Sequence, residues 1–557
     1  MTSFVKSLTS HEHFAPFAAV AVLVEVVLST AIVLKVPYTE IDWRAYMDEV
    51  GGVLDGDFDY LNLRGETGPL VYPAGFVWVY APLHWVTGGG ANVRFAQFIF
   101  VALIAFNLFV VLRIYNLTRF APPWVALFFL CSKRVHSLFV LRLFNDCVTA
   151  TVFHVALLLM CEAASVNATK GRSEQQALRL RSRYWIAGCA LFSAAVSIKM
   201  NILLMAPALF FTLLGGTGTT WTFGAITGMA AIQGLLGLPF LLTNFWGYVG
   251  RALDLSRVFL FKWSVNFKWL DLVVERGACG GGSSGGGAEC EACAAWAARE
   301  LTSNATGAVL SNMEEVCDPG SALGRRAMEI ATAASGASAS GAAAALSGHR
   351  CCKVIAAFKD KRLALALLAA TILLNLFFAA RHRWGARYRT FGVPAARRVA
   401  LALLTSNLIG IALARSVHYQ FYVWCVVVGS SAAAVGAVAR RHTPRSPPYP
   451  PPPFSLSFPL PRLTPAHLPT QSLTRAALPR RYFYSLPMLL WSCNQWWMNN
   501  IARLAILAAI EHAFNVFPAT EYSSLALTCA HGALLLALFT SPPRAAPSAS
   551  EPTKKRV

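Results

Sequence analysis

Apolar runs of about 20 residues recur along this chain, each close to the length a helix needs to cross about 30 Å of hydrocarbon. In lipid every backbone N–H and C=O must be paired within its own segment, so such runs become helices. The runs fall at about 17–36, 93–115, 122–138, 147–161, 186–198, 201–214, 221–242, 361–380, 399–414, 419–439, 501–516 and 523–540. The expected fold class is therefore all-α and polytopic, with about twelve membrane helices, the short paired ones open to being broken or re-entrant. Only 13% of the residues are charged, against about a quarter in soluble domains. The net charge of +21 does not point to nucleic acid, because the Lys and Arg sit in short loops between apolar runs, where they anchor and orient. The 13 Cys are scattered with no zinc-type spacing, and no metal site is expected. Lys6 and the run from Phe17 lack a small-residue cleavage site, so the first run is expected to be retained as a helix.

Acidic residues gather just after that run. Tyr38-Thr-Glu-Ile-Asp-Trp-Arg-Ala-Tyr-Met47 carries Glu40 and Asp42, and Asp48, Glu49, Asp55, Asp57, Asp59 and Glu66 follow. Gly65 to Gly75 has the Gly and Pro punctuation of a turn, and Phe76–Val86 the aromatic content of an interfacial helix. Basic loops lie at 162–184 and 381–398, and an even number of spans places them on one side, expected to be cytosolic. The acidic loop then faces the opposite, luminal side. The chain divides into a membrane domain at 1–276 with a luminal loop at 37–92, a Gly/Ala/Cys-rich luminal insert at 277–352, C-terminal helices at 353–540 interrupted by a Pro-rich tract at 443–480, and a cytosolic tail at 541–557.

Polar clusters fall at the luminal ends of the runs: Glu40 and Asp42; Arg142, Asn145 and Asp146; Lys199; and Arg415 followed by His418, Tyr419 and Gln420. Arg257, Lys262 and Lys268 stand among aromatics between Arg251 and Trp269. Cations beside a carboxylate on one membrane face suit a phosphate-linked lipid substrate: the cations hold the phosphate and the carboxylate takes a proton from an attacking hydroxyl. Each cluster also has a plainer explanation. Basic residues at helix ends snorkel, and Asn145 or Asp146 can cap a helix.

Particular strings narrow the choice. Tyr38-Thr-Glu-Ile-Asp-Trp43, Thr67-Gly-Pro-Leu-Val-Tyr-Pro-Ala-Gly75, Arg134-Val-His-Ser137, Leu141-Arg-Leu-Phe-Asn-Asp146, Ser197-Ile-Lys-Met-Asn201, Leu236-Gly-Leu-Pro-Phe-Leu241, Ser406-Asn-Leu-Ile-Gly410 and Arg415-Ser-Val-His-Tyr-Gln-Phe-Tyr-Val-Trp424 occur in order. With these the chain resembles the dolichyl-phosphate-mannose-dependent α-1,3-mannosyltransferases of the endoplasmic reticulum. The resemblance implies a GT-C fold with a luminal active site, dolichyl-phosphate-mannose as donor, the lipid-linked oligosaccharide Man5GlcNAc2-PP-dolichol as acceptor, and inversion at the anomeric carbon. It implies Asp42 as the base, with Glu40 as the alternative. Charge stabilisation of the leaving phosphate falls to Lys199, Arg257, Arg415 and His418, while Arg142, Asn145 and Asp146 shape the sugar site. No cofactor is implied. The competing class is a multi-span transporter or flippase of a lipid-linked sugar, which would carry its polar groups near the midplane and show repeated halves.

The family-like run breaks off at Trp424 and resumes at Tyr482, so the intervening segment reads as a retained intron or gene-model error. Lys554 and Lys555 match a dilysine retrieval signal. The topology makes a first prediction. Asn304, in the sequon Asn-Ala-Thr306, should be glycosylated in microsomes, while Asn116 and Asn167 stay bare. Glycopeptide mapping that finds Asn167 occupied overturns the orientation.

Overall fold

In the computed structural model, the described residues are 11, 14–128, 130, 132–167, 173–253, 264–270, 358, 360–388, 391–418, 486–493, 495, 497–516 and 519–541. The insert at 277–352, the Pro-rich tract at 443–480, all but the first residue of the tail, and the run at 419–439 lie outside them.

The helices are α1 (Phe14–Lys35), α2 (Trp43–Leu54), α3 (Ala74–Val86), α4 (Val93–Thr118), α5 (Asn145–Ser165), α6 (Glu174–Ile198), α7 (Ala206–Thr217), α8 (Thr219–Thr243), α9 (Phe245–Ala252), α10 (Lys361–Arg381), α11 (Val393–Leu413), α12 (Leu486–Ser492), α13 (Asn500–Asn515) and α14 (Glu521–Thr540). A two-residue hairpin, β1 (Arg64–Gly65) and β2 (Gly68–Pro69), is antiparallel with Arg64 opposite Pro69. Among the described residues eight helical segments are long and apolar enough to span, with α7 counted together with the 3-10 turn Met200–Met205 that leads into it. The all-α polytopic class is therefore observed.

Three of the expected runs take another form. The run at 186–198 is the C-terminal half of α6, whose N-terminal half is charged and begins at the Ser173/Gln176 capping box. The run at 501–516 is the 16-residue α13. The run at 122–138 is not one helix: a 3-10 turn at Pro123–Phe128 gives way to a short helix, Lys133–His136, capped by Ser132, and then to a π-turn at Ser137–Leu141. Pro122 and Pro123 lack backbone donors, and the Ser132 cap competes with helix continuation.

Helix α5 is central, packing on α4, α6 and α11. The spanning windows of α5 and α11 are 72% buried, whereas that of α8 is only 11% buried and turns its apolar surface to lipid. Glu25, mid-way along α1, faces inward as an intramembrane acid should. Its carboxylate accepts from Ser29 at 2.6 Å and meets His136 Nε2 at 2.9 Å.

Backbone contacts fix the two ends of the bundle. Gly392 N–H donates to Ala164 O at 3.0 Å, Tyr388 N–H to Gly215 O at 3.1 Å, and Arg397 to the carbonyls of Thr118 and Arg119. The C-terminal ends of α4, α5 and α7 therefore meet the N-terminal end of α11. Arg181, which donates to Val166 O, and Arg398, which reaches Ala386 O, join the same end. This end gathers the basic side chains. Asn116 and Asn167 lie there too. At the other end Thr39 N–H bonds Leu141 O at 3.0 Å, Arg94 bonds Val33 O, and Asn266 bonds the carbonyls of Ile411 and Ala414.

Helices α2 and α3 and the hairpin form a cap over that second end. Asn244, between α8 and α9, donates to both oxygens of Asp59 at 3.1 and 3.0 Å, which lowers the Asp59 pKa. Trp78 donates to Leu236 O, and Tyr248 accepts from Ala74 N–H. At Gly75 the cap touches α6 so closely that a Cβ would overlap the Ser197 hydroxyl. Gly75→Ala should therefore cost about 1–3 kcal/mol through overpacking and lower the unfolding temperature in detergent. Gly228→Ala in α8, where nothing lies within 4 Å of the added Cβ, should leave that temperature unchanged or slightly higher.

Candidate active site

Helix α2 carries the site's first carboxylate because its sequence is amphipathic. Trp43, Ala45, Tyr46, Met47, Val50 and Val53 are buried, while Arg44 and Asp48 are exposed. Asp42 occupies the N-cap position but makes no side-chain cap bond there. Its Oδ2 instead accepts from the Tyr46 hydroxyl at 3.2 Å, one turn along. Burial holds the Tyr46 pKa well above its ordinary value, so the phenol stays protonated and donates.

Glu40 is engaged differently. The Tyr38 hydroxyl donates to its Oε2 at 2.8 Å, Arg44 N–H donates to its Oε1 at 3.2 Å, and the Arg44 guanidinium approaches to 4.0 Å. Glu40 fastens the start of α2.

Tyr46 is also the corner of an aromatic stack. Its ring centroid lies 5.9 Å from Tyr72, 5.3 Å from Phe76 and 5.2 Å from Tyr80, all edge-on. The Lys199 ammonium stands over the Tyr72 ring, 5.6 Å from its centroid. Lys199 donates to Asp146 Oδ2 at 2.6 Å and to Asn145 Oδ1 at 3.1 Å. The Asp146 side chain is fully buried, and that of Lys199 is 12% exposed. Asn145 and Asp146 open α5, yet both side chains turn to Lys199. Two of the three ammonium donors are thus committed, and Asp146 compensates the charge.

Arg142 lies next to Leu141, whose carbonyl holds Thr39. Its guanidinium donates to the Ser137 hydroxyl, and among the described residues no ion pair involves it. Its cationic character is therefore available to an anion in a way that Lys199's is not. Between Arg142 and Asn145 the chain turns through Leu143, a buried residue at φ +52°. That region is costly for a residue with a branched side chain and is concentrated at functional sites.

Arg415 and His418 follow the end of α11 on a second strip at the same end of the bundle. Arg415 reaches Asp360 O at 3.4 Å and lies 5.9 Å from the Phe358 ring. The strip pairs with 264–266: Val265 N–H donates to Val417 O at 2.8 Å. Arg257, Tyr419 and Gln420 lie outside the described residues.

The structure thus brings Glu40, Asp42, Arg142, Asn145, Asp146 and Lys199 to one end and joins Asp42 to the Lys199 cluster through Tyr46 and Tyr72. Those two tyrosines are not among the residues singled out from sequence. Tyr46 was accessible through its i, i+4 spacing from Asp42. Tyr72 was not, because only the fold of the turn brings it there. Among the described residues no group of three His, Cys, Asp or Glu could hold a metal ion.

The Lys199–Asp146 pair carries a stability prediction. Lys199→Met leaves a buried carboxylate without its partner and should cost about 3–5 kcal/mol. The double substitution Lys199→Met with Asp146→Asn should recover most of that in thermal unfolding, without recovering activity.

Comparison with known proteins gives a consistent set of relatives. The family model described as "ALG3 protein" matches residues 19–274 and 354–432. The human "Dol-P-Man:Man(5)GlcNAc(2)-PP-Dol alpha-1,3-mannosyltransferase" is 32% identical over 552 residues, covering 97% of this chain and 89% of the relative. The Arabidopsis thaliana protein of the same name is 33% identical over 532 residues, covering 95% and 88%. A Drosophila melanogaster protein, "Dolichyl-P-Man:Man5GlcNAc2-PP-dolichol alpha-1,3-mannosyltransferase l(2)not2", is 42% identical over 269 residues, covering 48% and 51%. No solved structure matches.

Proposed function

Because this chain belongs to the ALG3 protein family, we propose that it is a mannosyltransferase that moves mannose from dolichyl-phosphate-mannose onto Man5GlcNAc2-PP-dolichol in α-1,3 linkage. The observation that carries this reading is the likeness to the human enzyme over nearly the whole of both chains. The chain is a multi-pass membrane protein, and its work in N-glycan precursor assembly belongs in the endoplasmic reticulum, with the capped end in the lumen. Lys554 and Lys555 are our candidates for the signal that retains it there.

The reaction is one in-line displacement. Asp42 takes the proton from the acceptor 3-hydroxyl as that oxygen attacks the anomeric carbon. The bond from that carbon to the phosphate oxygen breaks on the opposite face, and dolichyl phosphate leaves with the electron pair. The β-linked donor sugar therefore becomes α-linked. Tyr46 orients Asp42 through its hydroxyl. Arg142, with Arg257, Arg415 and His418, receives the phosphate charge. Lys199, Asn145 and Asp146 form a rigid polar wall beside Tyr72, against which a sugar can be placed.

A carrier of lipid-linked sugars would need open polar groups near the midplane. Here the mid-span pairs Glu25 with His136 and Asn107 with His154 bond to each other. The insert at 277–352 falls between the two matched segments and is proposed to be dispensable. The family match runs past Trp424 to residue 432, so the segment proposed to be absent from the working enzyme narrows to 433–481.

Asp42→Asn should lower transfer about 10²–10⁴-fold, measured as mannose moved from labelled donor in microsomes of cells lacking the native enzyme. Unimpaired transfer by that variant, with Glu40→Gln inactive, moves the base to Glu40. Tyr46→Phe keeps the ring but removes the hydroxyl that orients Asp42. Transfer by this variant should fall by about tenfold or more in the same microsomal assay while the protein stays folded.

A further inference from the structure

A cleft of about 650 Å³ opens on the cap, outside the cluster described above. Its floor is the exposed face of α2 immediately beyond Asp42, with Arg44 and Asp48 one turn apart. One wall is the hairpin with Arg64 and Glu66, and the other is the Gly89–Ala91 loop. Its volume falls within the range of about 300–1,000 Å³ typical of ligand sites.

The walls are held in place. Gly65 lies so close to α2 that a Cβ would sit 2.5 Å from Ala45 Cα, so only glycine lets β1 press there and present Arg64. Gly90, at φ +83°, packs against Met47 so tightly that a Cβ would collide with it. The Gly90 carbonyl accepts from Trp43 Nε1 at 3.0 Å. The cleft therefore has its shape before anything binds, which reduces the ordering cost of binding.

Its chemistry is mixed. Two guanidinium groups and two carboxylates line it, all four residues exposed, and among the described residues none of Asp48, Arg64 and Glu66 is in an ion pair. Arg44 makes only the 4.0 Å approach to Glu40. Charges of both signs cancel over the cleft, so it does not select a phosphate or a strongly charged peptide. Carboxylates accept from pairs of hydroxyls, and guanidinium forks donate to them. That combination suits a neutral oligosaccharide. A sugar whose 3-hydroxyl reaches Asp42, at the N-terminus of α2, must lay the rest of its glycan on a neighbouring surface, and the cleft occupies the exposed face of that same helix.

We propose that the cleft formed by α2, the Arg64–Glu66 hairpin and the Gly89–Ala91 loop binds the acceptor glycan through mannoses other than the one that receives the new bond. The proposal rests on the transferase reading and assigns it an acceptor subsite. Specificity for the acceptor's length then resides on the cap, apart from the catalytic carboxylate.

The test uses the full chain in detergent with two acceptors: Man5GlcNAc2-PP-dolichol, and the same lipid shortened by mannoses that do not carry the receiving hydroxyl. Arg64→Gln with Glu66→Gln should raise KM for the full acceptor about tenfold, the effect of losing about one charge-assisted hydrogen bond. The kcat and the KM for donor should be unchanged. Asp48→Asn should act in the same direction. The shortened acceptor should show a high KM with the unsubstituted protein and no further rise with the variants. An unchanged KM for the full acceptor, or an equal rise for both acceptors, overturns the subsite. Absence of transfer to either acceptor by the unsubstituted protein overturns the transferase reading and the subsite with it.

Discussion

The Lys199–Asp146 pair ties the beginning of the central helix to the break between α6 and the 3-10 turn that leads into α7. Removing two charges from water is costly, and neither could stand there alone. Together they make the N-terminus of α5 a fixed point, and the cap is registered against it through Tyr72 and Gly75. Asp42 belongs to a different part of the chain, yet it reaches the same point through Tyr46. The geometry between carboxylate and cation is thus set by aromatic packing and one compensated charge pair.

The bundle has two unlike ends. Arginines at the basic end bond backbone carbonyls left open at helix termini, as Arg397 does at Thr118 and Arg119. The opposite end uses carboxylates, tyrosines and asparagines to fix the cap. The basic contacts and the candidate site therefore lie at opposite ends of the bundle.

The sequence made the class of fold legible because apolar length is a direct consequence of bilayer thickness, and α1, α4, α5, α8, α10, α11 and α14 appear close to where the runs predict. It failed at 122–138, where a window of apolar residues hides two prolines and a capping serine. At the site, Asp42 and the Asn145–Asp146 pair were visible as motifs. The separation of Glu40 from Asp42 was not, because it depends on which hydroxyl reaches which oxygen. Lys199 read as a lone cation for a phosphate, since nothing in the spacing of 146 and 199 reveals that they meet. Pairing between distant segments is written in the packing of α5 on α6, not in either segment alone.

Leu143 shows what such a site demands of the backbone. A glycine would adopt φ +52° at no steric cost, and a leucine there holds the chain in a conformation it would otherwise leave. The side chain is buried, so its packing offsets the torsional penalty and leaves the peptide no slack. The arginine before it and the asparagine and aspartate after it are thereby set at fixed angles to one another, like jaws on a stiff spring. A more relaxed residue would make a more stable polypeptide and a looser tool.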